Sequence, residues 1–165
     1  MSKEKQQPIK LPAAGKREIR TQFGALCYRV RNDRIQVLVI TTRSRKNWIV
    51  PKGWPVDRAT PSQSAAREAF EEAGVEGKVS SKCLGIFSYQ KELDGDDLPC
   101  VVALFPLKVK RIHAIYPEKG LRKRKWLNRK KAAALVENPE LSQMIKDFSP
   151  KSKLRKPAKS AKKKA

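Results

Sequence analysis

The segment Gly53-Trp54-Pro55-Val56-Asp57-Arg58-Ala59-Thr60-Pro61-Ser62-Gln63-Ser64-Ala65-Ala66-Arg67-Glu68-Ala69-Phe70-Glu71-Glu72-Ala73-Gly74-Val75 joins a loop to the strongest helix signal in the chain. Thr60 suits an N-cap, Pro61 suits the first helical position, and Gln63 completes a capping box. Gly74 stands where a left-handed residue ends a helix. The spacing therefore predicts a helix over residues 61–73. At 100° per residue, Glu68, Glu71 and Glu72 share an arc of roughly 100° on one face. Ala66, Ala69, Phe70 and Ala73 fall on the opposite arc, which is expected to pack on a sheet. Three like charges at i, i+3 and i+4 repel, each close pair costing about 0.2–0.5 kcal/mol. Arg67, four residues before Glu71, offsets only part of this. A hard divalent cation removes the repulsion, because Mg²⁺ favours carboxylate oxygens and keeps waters for chemistry. On the helix alone, a solvated acidic face explains these residues equally well.

Strand patterns flank this segment. Residues 21–29 and 34–42 are apolar or β-branched runs joined by Asn32-Asp33, which predicts an antiparallel hairpin. Trp48-Ile49-Val50 reads as a short strand stopped by Pro51, followed by a loop holding Lys52, Gly53, Trp54 and Pro55. Two further strands are expected around residues 78–89 and 100–109. The acidic stretch Glu92, Asp94, Asp96 and Asp97 forms the loop between them. Residues 124–127 read as a strand, Asn128 as the cap of a helix over 129–136, and Asn138-Pro139 as the start of a last helix reaching about Phe148. Strands on either side of a long helix, then more helices, give an α/β layered domain.

Read from Gly53 through position 59 to Arg67, Glu68, Glu71, Glu72 and Gly74, the segment resembles the Nudix box, G-x5-E-x7-R-E-U-x-E-E-x-G-U. Six of its seven fixed residues are in register, and the departure is Ala59, where the family has glutamate. The resemblance implies an α/β/α sandwich with a mixed central sheet and a loop–helix–loop motif. It also implies a Mg²⁺- or Mn²⁺-dependent hydrolase that cuts a diphosphate linkage. Carried over by position, Glu68, Glu71 and Glu72 match the metal-binding glutamates, and the Gly53 carbonyl matches a frequent further ligand. Arg67 and Gly74 match structural positions of the motif. The absent glutamate usually steadies the loop by pairing with the box arginine, and Asp57 is a candidate replacement. Candidates for the general base are Glu72, Glu68 and an acid of the 92–97 stretch. Cations on the phosphate oxygens and a carboxylate to take a proton from water are what diphosphate hydrolysis needs.

The likeness covers roughly residues 20–148. Arg43 with Trp48-Ile49-Val50-Pro51, Gly85-Ile86-Phe87 and Arg122-Lys123-Arg124-Lys125-Trp126 look like the diphosphoinositol polyphosphate phosphohydrolase branch. That branch also tends to accept diadenosine polyphosphates. By position, Arg20, Arg43, Arg122 and Arg124 would touch substrate phosphates, and guanidinium forks suit phosphate oxygens. The acidic 92–97 stretch replaces a basic one in that branch, and Gln22 stands where a base is expected, so nucleotide polyphosphates remain equally open. His113 has no nucleophilic partner and reads as a strand-end residue. Trp54, beside Gly53, is the tryptophan best placed to meet a nucleobase.

Thirty-eight Lys and Arg against 16 Asp and Glu give 165 residues a formal charge of +22. Such a balance attracts polyanions and says nothing about fold. Residues 1–19 read as a flexible basic arm, 20–149 as the folded domain, and 150–165 as a disordered Lys/Arg-rich tail. The tail supports a second reading, a nucleic-acid- or ribosome-associated binding protein on a weakly active Nudix scaffold. No run approaches the roughly 20 apolar residues of a membrane span. Residues 1–10 lack the apolar stretch of a secretory signal, and Cys27, Cys83 and Cys100 are odd in number without a CxxC pair. A cytoplasmic protein with reduced thiols, a phosphorylated small-molecule substrate and no membrane partner is expected.

Overall fold

The computed structural model describes residues 8–9, 20–93 and 96–150, side chains from 92 to 98 excepted. The expected arm, apart from positions 8 and 9, and the tail beyond residue 150 lie outside the described residues.

Thr21–Arg31 (β1) and Arg34–Thr41 (β2) form the expected hairpin. Asn32 and Asp33 sit at φ 50° and 62°, the left-handed pair that a two-residue turn between twisted strands requires. Trp48–Ile49 (β3) pairs with β2. Lys52–Gly53 (β4), expected as loop, is instead a short strand on β1. The cause is Gly24: a Cβ there would lie 3.1 Å from the Pro51 carbonyl, which accepts the Ala25 N–H at 3.0 Å.

Pro61–Ala73 (α1) carries both bonds of the capping box at Thr60 and Gln63, and Gly74 ends it at φ 67°. Its sheet-facing line is Ala65, Ala69 and Ala73, whereas Ala66 and Phe70 are only half-buried. The buried arc is thus turned from the expected one. Small residues let the helix lie close to the sheet, and the bulky Phe70 ring turns aside, edge-on to His113 at 5.5 Å.

Val75–Val79 (β5) and Gly85–Leu93 (β6) replace the single strand expected over 78–89, and Asp96–Ile112 (β7) is longer than expected. One edge of β7 serves both: β6 pairs with residues 96–104 and β5 with residues 107–112. Residues 80–84 step across the gap between the two ladders. The acidic stretch is less a loop than the end of the β6–β7 hairpin, with Glu92 opposite Asp97, because the register set at Gly85 and Leu104 carries through without a break. Arg124–Asn128 (β8) pairs with β2, and Arg129–Leu135 (α2) and Pro139–Asp147 (α3) are capped by Asn128 and Asn138.

The sheet is mixed, with β1 parallel to β7 between antiparallel neighbours. Alternation assigns each strand residue to a layer. Phe23, Ala25, Cys27, Leu38, Ile40, Phe105 and Leu107 pack with α1. Leu26, Val37, Val39, Val102 and Leu104 pack with residues of α2 and α3. The architecture is the α/β/α sandwich, with β4 delivering Gly53 to the base of α1. Among the described residues no helix is long and apolar enough to cross a membrane.

Candidate active site

Gly53 on β4 lies against Glu68 so closely that a Cβ would come within 2.3 Å of its carboxylate. Any other residue at 53 would displace that side chain. One turn further along α1, Glu72 is 7% exposed and is held from two sides. Its Oε1 accepts the Lys52 backbone N–H at 3.0 Å, and its Oε2 accepts from Arg122 at 3.2 Å. Glu71 is half-buried and accepts from Arg67 Nε at 3.0 Å. A cavity of about 630 Å³ opens over all three glutamates, and Gln22, Arg43, Lys52, Trp54, Lys91, Glu118 and Arg122 also line it.

The four arginines expected at phosphate part company here. Arg43 and Arg122 line the cavity, and both donate through Nε to Glu118 Oε1, at 3.2 and 3.3 Å. Arg124 is not among the lining residues. Its guanidinium donates to the carbonyls of Ala73 and His113 at 2.7 and 2.9 Å, so it closes the C-terminal end of α1. Arg20 is exposed and also outside the lining, and its carbonyl accepts from the Val101 N–H. The 92–97 acids, proposed as a third source of a base, have side chains outside the described ones.

Sequence reasoning missed Lys52, Tyr89 and Glu118. Lys52 Nζ donates to the Tyr89 hydroxyl at 3.0 Å, and that hydroxyl donates to the buried Gln22 side chain. Gln22 therefore occupies its position as an acceptor for a half-buried tyrosine. Lys52 was legible only as the residue before the box glycine. Glu118 lies 75 residues from Arg43, and nothing local marks it.

Burial raises the Glu72 carboxyl to about 7, against the opposing pull of Arg122 and the Lys52 N–H. Burial likewise lowers the Lys52 ammonium. Among the described residues no three Asp, Glu, His or Cys side chains converge tightly enough to hold a metal ion outright. Glu71 is turned toward Arg67 and Glu72 toward Arg122. The donor set nonetheless fits a hard divalent cation in chemistry. It consists of carboxylate oxygens beside a backbone carbonyl, with a buried carboxyl whose charge lacks full compensation. A raised carboxyl fixes a sign. Its contribution to stability is fullest below the unfolded value of 4.5 and is lost as pH rises through about 7. Metal-free protein should therefore lose stability between pH 5 and 8 relative to Glu72→Gln, a difference that thermal melts at both pH values would reveal.

Ala59 leaves Arg67 without the box glutamate, and the structure supplies a brace of another kind. The Ile9 N–H donates to the Ala59 carbonyl at 2.9 Å, and the Arg58 N–H donates to the Ile9 carbonyl at 2.8 Å. The Ile9 side chain packs on the α1 layer of the core. Asp57 is exposed, with its carboxylate 3.8 Å from Arg58 Nε.

The sequence model of the NUDIX domain matches residues 20–148. The chain is 33% identical over 122 residues to Nudix hydrolase 13, mitochondrial, of Arabidopsis thaliana, covering 70% of this chain and 60% of that protein. It is 43% identical over 65 residues to diphosphoinositol polyphosphate phosphohydrolase 2 of Rattus norvegicus, covering 39% and 36%. Among solved structures it is similar to the C. elegans Ap4A hydrolase, with a TM-score of 0.55 and 20% identity over 77% of this chain and 93% of that one. That last likeness is one of fold. The chain spans about 60% of the length of the first of these relatives. A match over residues 20–148, with the box residues gathered around one cavity, means that this protein belongs to the Nudix family.

Proposed function

We propose that the protein is a pyrophosphohydrolase, dependent on Mg²⁺ or Mn²⁺, that cuts a diphosphate linkage in a phosphorylated small molecule. The carrying observation is the meeting of Glu68, Glu71 and Glu72 with Arg43, Lys52 and Arg122 around one cavity. Acids alone would repel a diphosphate, and bases alone would bind it without activating water. Glu68, Glu71, Glu72 and the Gly53 carbonyl would hold the ion. When bound, it neutralises phosphate oxygens and acidifies a water. Arg43 and Arg122 present guanidinium donors to phosphate from the cavity wall. Glu118 holds both at a fixed spacing. Glu72 and Glu68 are the carboxylates available to take the water's proton. Arg124, engaged at the end of α1, serves to fix the helix that carries them.

The relatives' names extend this to two substrate classes, nucleoside polyphosphates and diphosphoinositol polyphosphates. Product analysis on diadenosine polyphosphates, nucleoside diphosphate conjugates, capped RNA and inositol pyrophosphates, with Mg²⁺ and with chelator, tests the reading. Cleavage at a phosphoanhydride that stops on chelation supports it. A panel left intact at millimolar Mg²⁺ would sink it.

A further inference from the structure

Positive charge collects on one strip of the sheet that the described helices leave uncovered. By alternation Leu104, Pro106 and Lys108 lie on one face of β7, and Leu104 belongs to the α2–α3 layer. That layer gives out along the strand: Leu104 is buried, Pro106 half-buried and Lys108 exposed. The same happens on β1. Tyr28, in register with Lys108, packs on Phe148, and Val30 is 43% exposed. On the other side of β7, Lys108 stands directly opposite Lys78 in the β5–β7 ladder.

The register then shifts between Glu76 and Gly77. This bulge sets Lys110 and Arg111 together opposite Glu76, where unbroken alternation would turn one of them toward α1. Gly77 admits the shift, because a Cβ there would lie 1.9 Å from the Lys108 carbonyl oxygen. The result is a hollow of about 430 Å³ lined by Glu76, Gly77, Lys78, Lys110 and Arg111. It shares no lining residue with the cavity over the glutamates. Glu76, its one acid, lies 3.1 Å from His113 Nε2. Among the described residues none of Lys78, Lys108, Lys110 and Arg111 forms an ion pair. Like charges directly opposite on neighbouring strands destabilise a sheet. An uncovered face needs only polar residues, and threonine would suit a strand better without the repulsion.

We propose that this strip is a docking surface for the phosphate backbone of a single nucleic-acid strand, separate from the catalytic cavity. Lys108 and Lys110 stand about 6–7 Å apart along β7, a step comparable with that between successive phosphates of an extended strand. Cations of this kind meet phosphate oxygens without reading bases. The ring in register, Tyr28, is taken up by Phe148, so it offers bases no stacking face and recognition is blind to sequence. A bilayer surface is flat and would meet convex parts of the protein, whereas these cations line a hollow.

The probe is a fluorescein-labelled oligouridylate with a 5′-hydroxyl, which has no diphosphate to cut. Fluorescence anisotropy would follow its affinity for the full chain in chelator, over a series of salt concentrations. Two triple variants remove equal charge from exposed positions: Lys78→Gln, Lys108→Gln and Lys110→Gln together, and Lys125→Gln, Lys130→Gln and Lys131→Gln together. Melting curves on the same preparations establish that both fold. The strip variant is expected to bind about 10-fold or more weakly at moderate salt. Its slope of log affinity on log salt should fall by about 2, since each lost single-strand phosphate contact removes about 0.7. The second variant should stay within about threefold of the parent, because distant surface charges are screened. Equal weakening of the two variants, or an unchanged slope in the strip variant, would assign the binding to diffuse charge and overturn the proposal. So would a wild type that does not bind the oligonucleotide at low salt. Phosphatidylserine vesicles supply the last arm: if the strip variant loses them while keeping the oligonucleotide, the surface belongs to a membrane and the proposal falls.

Discussion

Glu72→Gln is expected to lower Mg²⁺-dependent turnover by well over 100-fold while leaving the protein folded. Loss of an outer partner to a metal ligand typically costs about 10- to 100-fold, and removal of a proposed ligand exceeds that. Glutamine keeps the shape, and its single carbonyl oxygen can still accept from the Lys52 N–H, whereas the amide nitrogen in place of Oε2 cannot accept from Arg122, which keeps its bonds to Glu118 and the Thr41 carbonyl. What it loses is the negative charge and the ability to take a proton. Steady-state kinetics with a melting curve on the same preparation measure both effects. Turnover within a few-fold of the parent would defeat the role given to Glu72.

Arg122→Ala carries the largest expected effect on stability. The Arg122 and Glu72 side chains are 13% and 8% exposed, and the guanidinium also donates to Glu118 and to the Thr41 carbonyl. Removing one partner of a buried pair leaves the other charged and alone, at about 3–5 kcal/mol. Here the loss should depend on pH. Below about 7 Glu72 can take a proton, and its lost partner then matters less. Denaturant unfolding of metal-free protein should show the larger deficit at pH 8 and a smaller one at pH 5. A deficit equal at both values would mean that Glu72 does not titrate in this range and that the pairing is packing alone.

Local chemistry made much of this legible. Thr60, Pro61, Gln63 and Gly74 mark the ends of α1 because caps are read from a few adjacent residues. Asn32-Asp33 marks the hairpin for the same reason, since few residues tolerate two left-handed positions in a row. The box spacing itself ties Gly53 and the three glutamates to one place, and all four line one cavity. Features made by distant pairs stayed hidden. Glu118 bridging Arg43 and Arg122, Tyr89 linking Lys52 to Gln22, and Arg124 bonded to the helix end all depend on tertiary contact. The split of 78–89 into β5 and β6 was hidden too. A strand edge long enough for two partners leaves no mark in either partner's own sequence.

Trimming the polypeptide to the stretch that the family pattern spans would discard Ile9 along with everything before residue 20. Yet the Ile9 backbone latches the turn that lacks its glutamate, through the Ala59 carbonyl and the Arg58 N–H. A shortened protein beginning at residue 20 should melt at a similar temperature yet grip Mn²⁺ less firmly, which electron paramagnetic resonance titration would detect. The catalytic turn would then have been relying on a piece of chain borrowed from outside its own motif.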